Sequence, residues 1–430
     1  MKQKLFYKLL VLSLTVSFTA QFCNSQGPRP EEIELMWWKP FDDARIVEPL
    51  ISEFQKAYPN VRVNYVQKNI ENYEDELLDA LAAGEGPDIF SIHNDWLPKH
   101  KAKTAPAPDN IFSLREFKEN FLEVASADLT EGGKVYAVPL AVDVLAMYYN
   151  KDILSSAGIP RPPATWQEII DMVSRLTRQD SLGNFQKQAV ALGTAENINR
   201  APDILGLLML QNGTPLYSSN RDSATLDQQI QDPQGNYYSP GARALEFYTQ
   251  FANPAKLTYT WNNRSNNSIE AFGSGRVAMI FSYSYLRATL ESKSPFLNYA
   301  VAPMPQIDPQ KSRVNYANYW AEAVAKASPH QEAAWQFLKF ISSREILPKY
   351  YEAQKQVSPR LDILEQQISD PEIGVFAENA LSAKSLYKPD SDVVESIFVQ
   401  MIDNVILRGV APSEAIKDAT AKLNVLLRGS

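Results

Sequence analysis

Residues 131–170 decide how this chain is read: Glu131-Gly-Gly-Lys-Val-Tyr-Ala-Val-Pro-Leu-Ala-Val-Asp143-Val-Leu-Ala-Met-Tyr-Tyr-Asn-Lys-Asp-Ile-Leu154, then Ala157-Gly-Ile-Pro160, then Pro163-Ala-Thr-Trp-Gln-Glu-Ile-Ile170. The Gly132-Gly133 turn leads into a long β-rich apolar run that contains one acid, Asp143. An acid in such a run needs a partner, because an unpaired buried carboxylate is costly. A proline-rich break follows, and Thr165 opens a new helix.

Toward the N-terminus, Glu32 to Lys39 reads as a strand ending in Trp37-Trp38, adjacent aromatics that a strand sends to opposite faces. An apolar stripe (Ile46, Leu50, Phe54 with Val47, Ile51, Tyr58) predicts a helix. Pro49 inside it predicts a kinked first turn or a start near Glu48. Val61 to Gln67 alternates as a strand does. Tyr73 to Ala83 predicts a second amphipathic helix, stopped by Gly84-Glu-Gly-Pro87, and Asp88 to Ile92 a short strand. This alternation is the pattern of an open α/β sheet.

Toward the C-terminus, residues 177–240 are rich in Asn, Gln, Gly and Asp, with a helical stretch at Asp203–Leu210. Ala242 to Phe251 is helical, and Asn262 to Ser268 is a polar turn beside Trp261. Ile269 to Phe272 leads into Gly273-Ser-Gly-Arg-Val-Ala-Met-Ile280. Tyr299 to Pro305 is a strand closed by prolines, and helical patterns dominate from Gln331 onward.

In this order and spacing the segments resemble the extracellular solute-binding proteins of ABC importers, in the sugar-binding, maltose-binding-protein-like branch (family 1). Residues 131–176, Gly86-Pro-Asp-Ile89, Phe272–Met279, Ala300-Val-Ala-Pro-Met-Pro305 and Ala333-Ala-Trp-Gln-Phe-Leu-Lys-Phe340 carry the resemblance over nearly the whole chain. It implies an α/β fold: a two-lobed periplasmic-binding-protein type II clamp, each lobe a mixed sheet flanked by helices, with the ligand cleft between them. Lobe 1 is expected to be 31–142 plus approximately 270–318, and lobe 2 143–269 plus approximately 319–430. The function implied is non-catalytic: capture of a sugar or oligosaccharide by hinge closure and delivery to a membrane permease.

The resemblance also implies cleft positions. Trp38 and Lys39 end the first strand. Asn94, Asp95 and Trp96 follow the Pro-Asp-Ile motif, and Asp143 is the acid of the crossing segment. Tyr283 and Tyr285 come after Ala278-Met279, and Tyr319 and Trp320 precede the strand 321–327. The residue types suit carbohydrate, whose C–H faces stack on aromatic rings and whose hydroxyls need paired donors and acceptors. Asp143 also has a plain structural reading, a hydrogen bond or ion pair at the hinge. Asp88 reads as a turn-capping residue, and Trp335 and Phe340 as helix packing.

The ends and the composition agree with export. Lys2, Lys4 and Lys8 precede the apolar run Leu9–Ala20, so residues 1–22 read as a signal peptide. Cys23, the one cysteine, stands where a lipoprotein carries its lipid, although Ala20-Gln21-Phe22 departs from the usual lipobox; residues 23–30 would then be a linker. Losing three lysines takes the formal net charge from −8 to −11. That balance argues against nucleic-acid partners. Membrane contact is expected only through the lipid, and the protein is expected to be a monomer.

Metal and cofactor sites find little support. His93, His100 and His330 show no metal-ligand spacing, and no Walker loop or Gly-x-Ser-x-Gly elbow is present. Iron is the one exception to weigh, through the tyrosine pairs 148–149, 237–238 and 350–351. The competing readings are a secreted glycoside hydrolase, which needs two carboxylates about 5–10 Å apart, and the same fold binding a polyol, a glycerophosphodiester or ferric iron.

Overall fold

The structure, a computed structural model, describes residues 32–429 apart from 309 and 312. The signal peptide 1–22, the linker 23–30 and Cys23 therefore lie outside the described residues.

Two mixed sheets organise the chain. The first runs in the order Val61–Gln67, Ile33–Lys39, Ile89–His93, Trp320–Ala325, with Thr104–Ala105 and Ala137–Pro139 along the far side of the last strand. Its first three strands are parallel and Trp320–Ala325 is antiparallel to Ile89–His93, with Trp320 opposite His93. Parallel strands need helical crossovers, and the helices Ala44–Ala57 and Tyr73–Ala83 supply them. The first runs straight through Pro49 from an Asp43 N-cap, whose side chain accepts from Arg45 N. The expected late start is therefore corrected: the cap and the buried face of Val47, Leu50, Ile51 and Phe54 outweigh the one backbone bond that proline removes.

The second sheet runs Arg178–Gln179, Phe185–Val190, Val277–Ser282, Ala146–Asn150, Tyr299–Ala302. Ala146–Asn150 is antiparallel to both neighbours, with Met279 opposite Tyr149 and Ala300 opposite the same residue. Helices Trp166–Leu176, Ala201–Gln211 and Pro240–Thr249 belong to this half, and the C-terminal pair Ser391–Arg408 and Pro412–Gly429 packs against it. Gly275, at φ 65°, makes the turn into Val277–Ser282 that the resemblance implied.

These pairings correct the expected lobe division. Residues 277–302 add strands to the second sheet, whereas 320–325 lies inside the first, where the helix Gln331–Ile341 also packs. The expectation had them the other way round. All six residues of Val277–Ser282 are buried, so its local pattern is the same whichever sheet it joins. The chain passes between halves at 140–145 and 318–320, where Asp143–Val144 pairs with Ala317–Asn318, and again near Val357, which bridges to Val142.

Candidate functional site

A cavity of about 880 Å³ opens between the two sheets. Its first-sheet wall is built on the end of the opening strand. Trp37 turns inward and is fully buried, its indole N–H donating to Glu322 Oε2 at 2.8 Å. Strand alternation does not set Lys39 apart from Trp37, and Lys39 lies on the same face, its Nζ 2.6 Å from Glu322 Oε1 and 3.2 Å from Asp42 Oδ2. Tyr350 and Gln354 donate to the same Asp42 carboxylate at 2.6 and 3.2 Å. Burial works against the Lys39 ammonium, but Glu322, with Asp42, overrides it and holds its pKa well above the ordinary lysine value. Over this charged floor stand two aromatic surfaces: Phe41, 51% exposed, meets Trp320 edge-on at 5.3 Å. Behind Trp320, Trp96, Tyr73 and His93 pack against its ring.

The second wall comes from the hinge and the loop after Val277–Ser282. Asp143 accepts from Ser284 N (2.9 and 3.0 Å), Ser284 Oγ (2.8 Å) and Val144 N (2.8 Å). Desolvation pushes its carboxyl up to about 6, against those donors. Its partners are thus supplied by the protein itself, which meets the requirement read from the sequence and gives Asp143 a bracing role while it lines the cavity. Tyr285, 52% exposed, presents its ring here and donates to Asn199 Oδ1 at 3.1 Å. Arg287 donates to Glu372 O at 2.9 Å and lies 3.5 Å from that residue's carboxylate.

Of the ten positions expected in the cleft, Lys39, Asp143, Tyr285, Tyr319 and Trp320 line this cavity. The other five do not. Trp38 faces away, with Lys68 Nζ 4.0 Å over its ring. Trp96 supports Trp320 from behind. Tyr283 is buried, its hydroxyl donating to Asp203 Oδ2 at 2.7 Å. Asn94 and Asp95 line a separate recess of about 520 Å³ that also holds Asp128, Ser385 and Lys388. Tyr319 sends its hydroxyl toward that side too, to Asp128 Oδ2 at 2.8 Å. Trp261 is fully buried and donates to Asn197. Asp88 is structural, accepting from Met36 N at 2.8 Å and from Ser328.

The misplaced residues form a connection of their own. His93 Nδ1 lies 2.5 Å from Asp95 Oδ1, and Lys388 Nζ 2.8 Å from Asp95 Oδ2. Lys388 continues to Glu395 (3.4 Å), Glu395 to Arg200 (3.5 Å), Arg200 to Asp203 (2.7 Å) and Asp203 to Tyr283. Burial opposes the charge on Asp95, but His93 and Lys388 hold its carboxyl far below the ordinary range. One end meets Trp320 through the His93 ring, and the other meets Tyr285, on which Tyr283 stacks at 6.1 Å. The aromatic walls of both halves are joined behind the cavity by one chain of charges.

Sequence reading missed Phe41, Asp42, Arg287, Asn318, Tyr350, Gln354 and Gln356 among the lining residues. Phe41 and Asp42 follow Lys39 by two and three, and Arg287 follows Tyr285 by two, so proximity to the chosen positions was the available signal. Tyr350, Gln354 and Gln356 come from a helix and loop with no local mark of a site. Tyr350 and Tyr351 spend their hydroxyls on Asp42 and on Leu140 O (2.7 Å). Among the described residues no cluster of three His, Cys, Asp or Glu side chains could hold a metal.

Residues 49–375 match the family model of the bacterial extracellular solute-binding proteins. A binding protein of Brucella abortus (strain 2308) is 23% identical over 397 residues, covering 88% of this chain and 90% of that protein. The galactooligosaccharide-binding protein of Bacillus subtilis (strain 168) is 20% identical, over 75% of this chain and 72% of its own. Among solved structures, the cyclic α-maltosyl-1,6-maltose binding protein from Arthrobacter globiformis superposes with a TM-score of 0.77 at 16% identity, covering 93% of this chain and all of that one. That likeness shows the two-lobed fold, and the match over most of the chain shows the lineage: this protein belongs to the bacterial extracellular solute-binding proteins.

Proposed function

We propose that this protein is the non-catalytic receptor of an ABC importer, capturing a sugar or oligosaccharide between its lobes and delivering it to a membrane permease. The observation that carries the reading is the interlobe cavity, with the rings of Phe41 and Trp320 on one wall and Tyr285 on the other. Rings on both walls can stack on the two C–H faces of a sugar, while Lys39, Asn318, Gln356 and Arg287 offer polar groups to its hydroxyls. The names of the relatives, which speak of galactooligosaccharide and of a cyclic maltosyl-maltose, support the same ligand class. Export, a lipid on Cys23, action as a monomer and the absence of catalysis belong to the same proposal. The engagement of the cavity's carboxylates supports a non-catalytic role: Asp42 is tied to Lys39, Tyr350 and Gln354, Asp143 to Ser284, and Glu291 and Glu372 to Arg287.

The test is a thermal-shift screen of residues 24–430 against sugars, polyols, glycerophosphates, peptides and ferric citrate. A ligand present at 100 times its Kd adds about 2.7 kcal/mol to the folded state. A shift of a few degrees with one carbohydrate class, with stoichiometric heat and no products on long incubation, is the expected result. Silence from every sugar alongside a shift with iron or a phosphate ester would overturn the ligand class, and sustained product formation would overturn the receptor.

A further inference from the structure

At the pole of the second sheet remote from the cleft, a recess of about 660 Å³ is lined by Arg175, Arg178, Lys187 and Lys293, with Asp152 as the one carboxylate. This stands out on a chain of net charge −8. Arg175 donates to the carbonyls of Ala157 and Gly158, Arg178 to those of Ser174 and Thr177, and Lys187 to that of Gly275 at 2.5 Å. Among the described residues none of the four cations has an ion-pairing carboxylate, whereas Asp152 is taken up by Asn298 at 2.7 Å.

The second observation is in the register of the ladder. Arg178 stands directly opposite Lys187 across the antiparallel pair Arg178–Gln179 with Phe185–Val190. Like charges directly opposite on a sheet are destabilising, so the arrangement is one that stability alone would not favour. At the rim, Phe296 is 98% exposed. An exposed aromatic beside uncompensated cations is the composition of a protein-binding surface, where aromatic and arginine side chains anchor a partner.

We infer that this recess docks an acidic segment of a partner protein, its carboxylates entering among Arg175, Arg178, Lys187 and Lys293 and an apolar side chain resting on Phe296. Concavity favours a polypeptide over a lipid surface. A bilayer is flat and meets cations on a convex or planar face, whereas a chain segment can insert into a recess.

The probe is a fluorescein-labelled peptide of eight glutamates with one central leucine, titrated against the mature chain with anisotropy as the readout. Saturable binding at low salt is expected, weakened at least tenfold by Lys187→Glu with Lys293→Glu and a few-fold by Phe296→Ala. Raising the ionic strength from about 0.1 M to about 1 M, which shortens the screening length from about 10 to about 3 Å, is expected to weaken it further. A melting curve confirms each variant's fold, and Lys187→Gln with Lys293→Gln replaces the charge reversal should that not fold. No saturable binding by the unaltered chain, or equal affinity in the charge variants, would overturn the inference. So would binding to phosphatidylglycerol vesicles without binding to the peptide, which would assign the recess to lipid. No sugar enters the measurement, so its outcome is separate from that of the receptor reading.

Discussion

Asp143 is held in the fold at a disadvantage when charged. Its folded-state value of about 6 lies above the ordinary 3.8, because desolvation outweighs the donors of Ser284 and Val144. The folded chain therefore keeps a proton that the unfolded chain releases. The resulting stabilisation is complete below about 3.8 and is lost as pH rises through about 6. Asp128, raised to about 6 by burial against the donors of Ser385, Tyr319 and Asn94, adds a contribution of the same sign. Urea unfolding should show the Asp143→Asn variant losing roughly 1 kcal/mol less than the unaltered protein between pH 5 and 7.5; parallel pH profiles would refute this. Among the aromatics, Trp320→Ala should weaken binding of the ligand at least tenfold, about 1.4 kcal/mol, while Trp38→Phe should leave it within twofold, both by calorimetry. The pair Trp37-Trp38 shows what was legible here. Strand alternation said that one ring is inside and one outside, and Trp37 is indeed buried against Glu322. It could not say that the outer face is covered by Lys68 and leads away from the cavity.

Elements with a self-contained signal were read closely. Tyr73–Ala83 and Val61–Gln67 have the residues their periodicity predicted, and the helix Trp166–Leu176 begins where Thr165 announced it. There the Thr165 hydroxyl accepts from Glu168 N at 3.1 Å and the Glu168 carboxylate accepts from Thr165 N at 3.2 Å. Thr165→Ala should cost about 1 kcal/mol, visible as a lowered urea midpoint with an unchanged slope; no change would mean that packing alone fixes this helix start. What periodicity could not supply is the partner of a fully buried strand. Val277–Ser282 is buried throughout and Trp320–Ala325 is buried apart from Trp320, both are short, and their sheets are decided by contacts far along the chain, Met279 with Tyr149 and Trp320 with His93. The lobe division failed for that reason, and the same long-range geometry kept Tyr350 and Gln356 out of the expected site.

At the level of the whole molecule, the two halves meet behind the cavity through Asp95 and Lys388, whose side chains are only 3% and 5% exposed. Removing one member of a buried pair typically costs about 3–5 kcal/mol, and without Lys388 the Asp95 carboxylate keeps only His93 against its burial. Lys388→Met should show a loss of that order on unfolding, and adding Asp95→Asn should recover more than half of it. Because the pair joins the halves, both variants should also change the apparent ligand affinity with no change to any group lining the cleft. An affinity unchanged in both would mean that Asp95 and Lys388 keep their pairing throughout hinge motion.

The position of Trp320–Ala325 between Ile89–His93 and Ala137–Pro139 also bears on how the chain comes to be folded. A polypeptide made and threaded from its N-terminus presents the strands of the first sheet early, yet their inner edges stay unpaired until this late segment arrives. Pairings so distant in sequence form slowly, and open strand edges invite association with other chains. The first half cannot close before the second has largely emerged, so the nascent chain has a long interval in which it needs protection, and a truncation that stops short of residue 320 should leave neither a sound first sheet nor a working clamp.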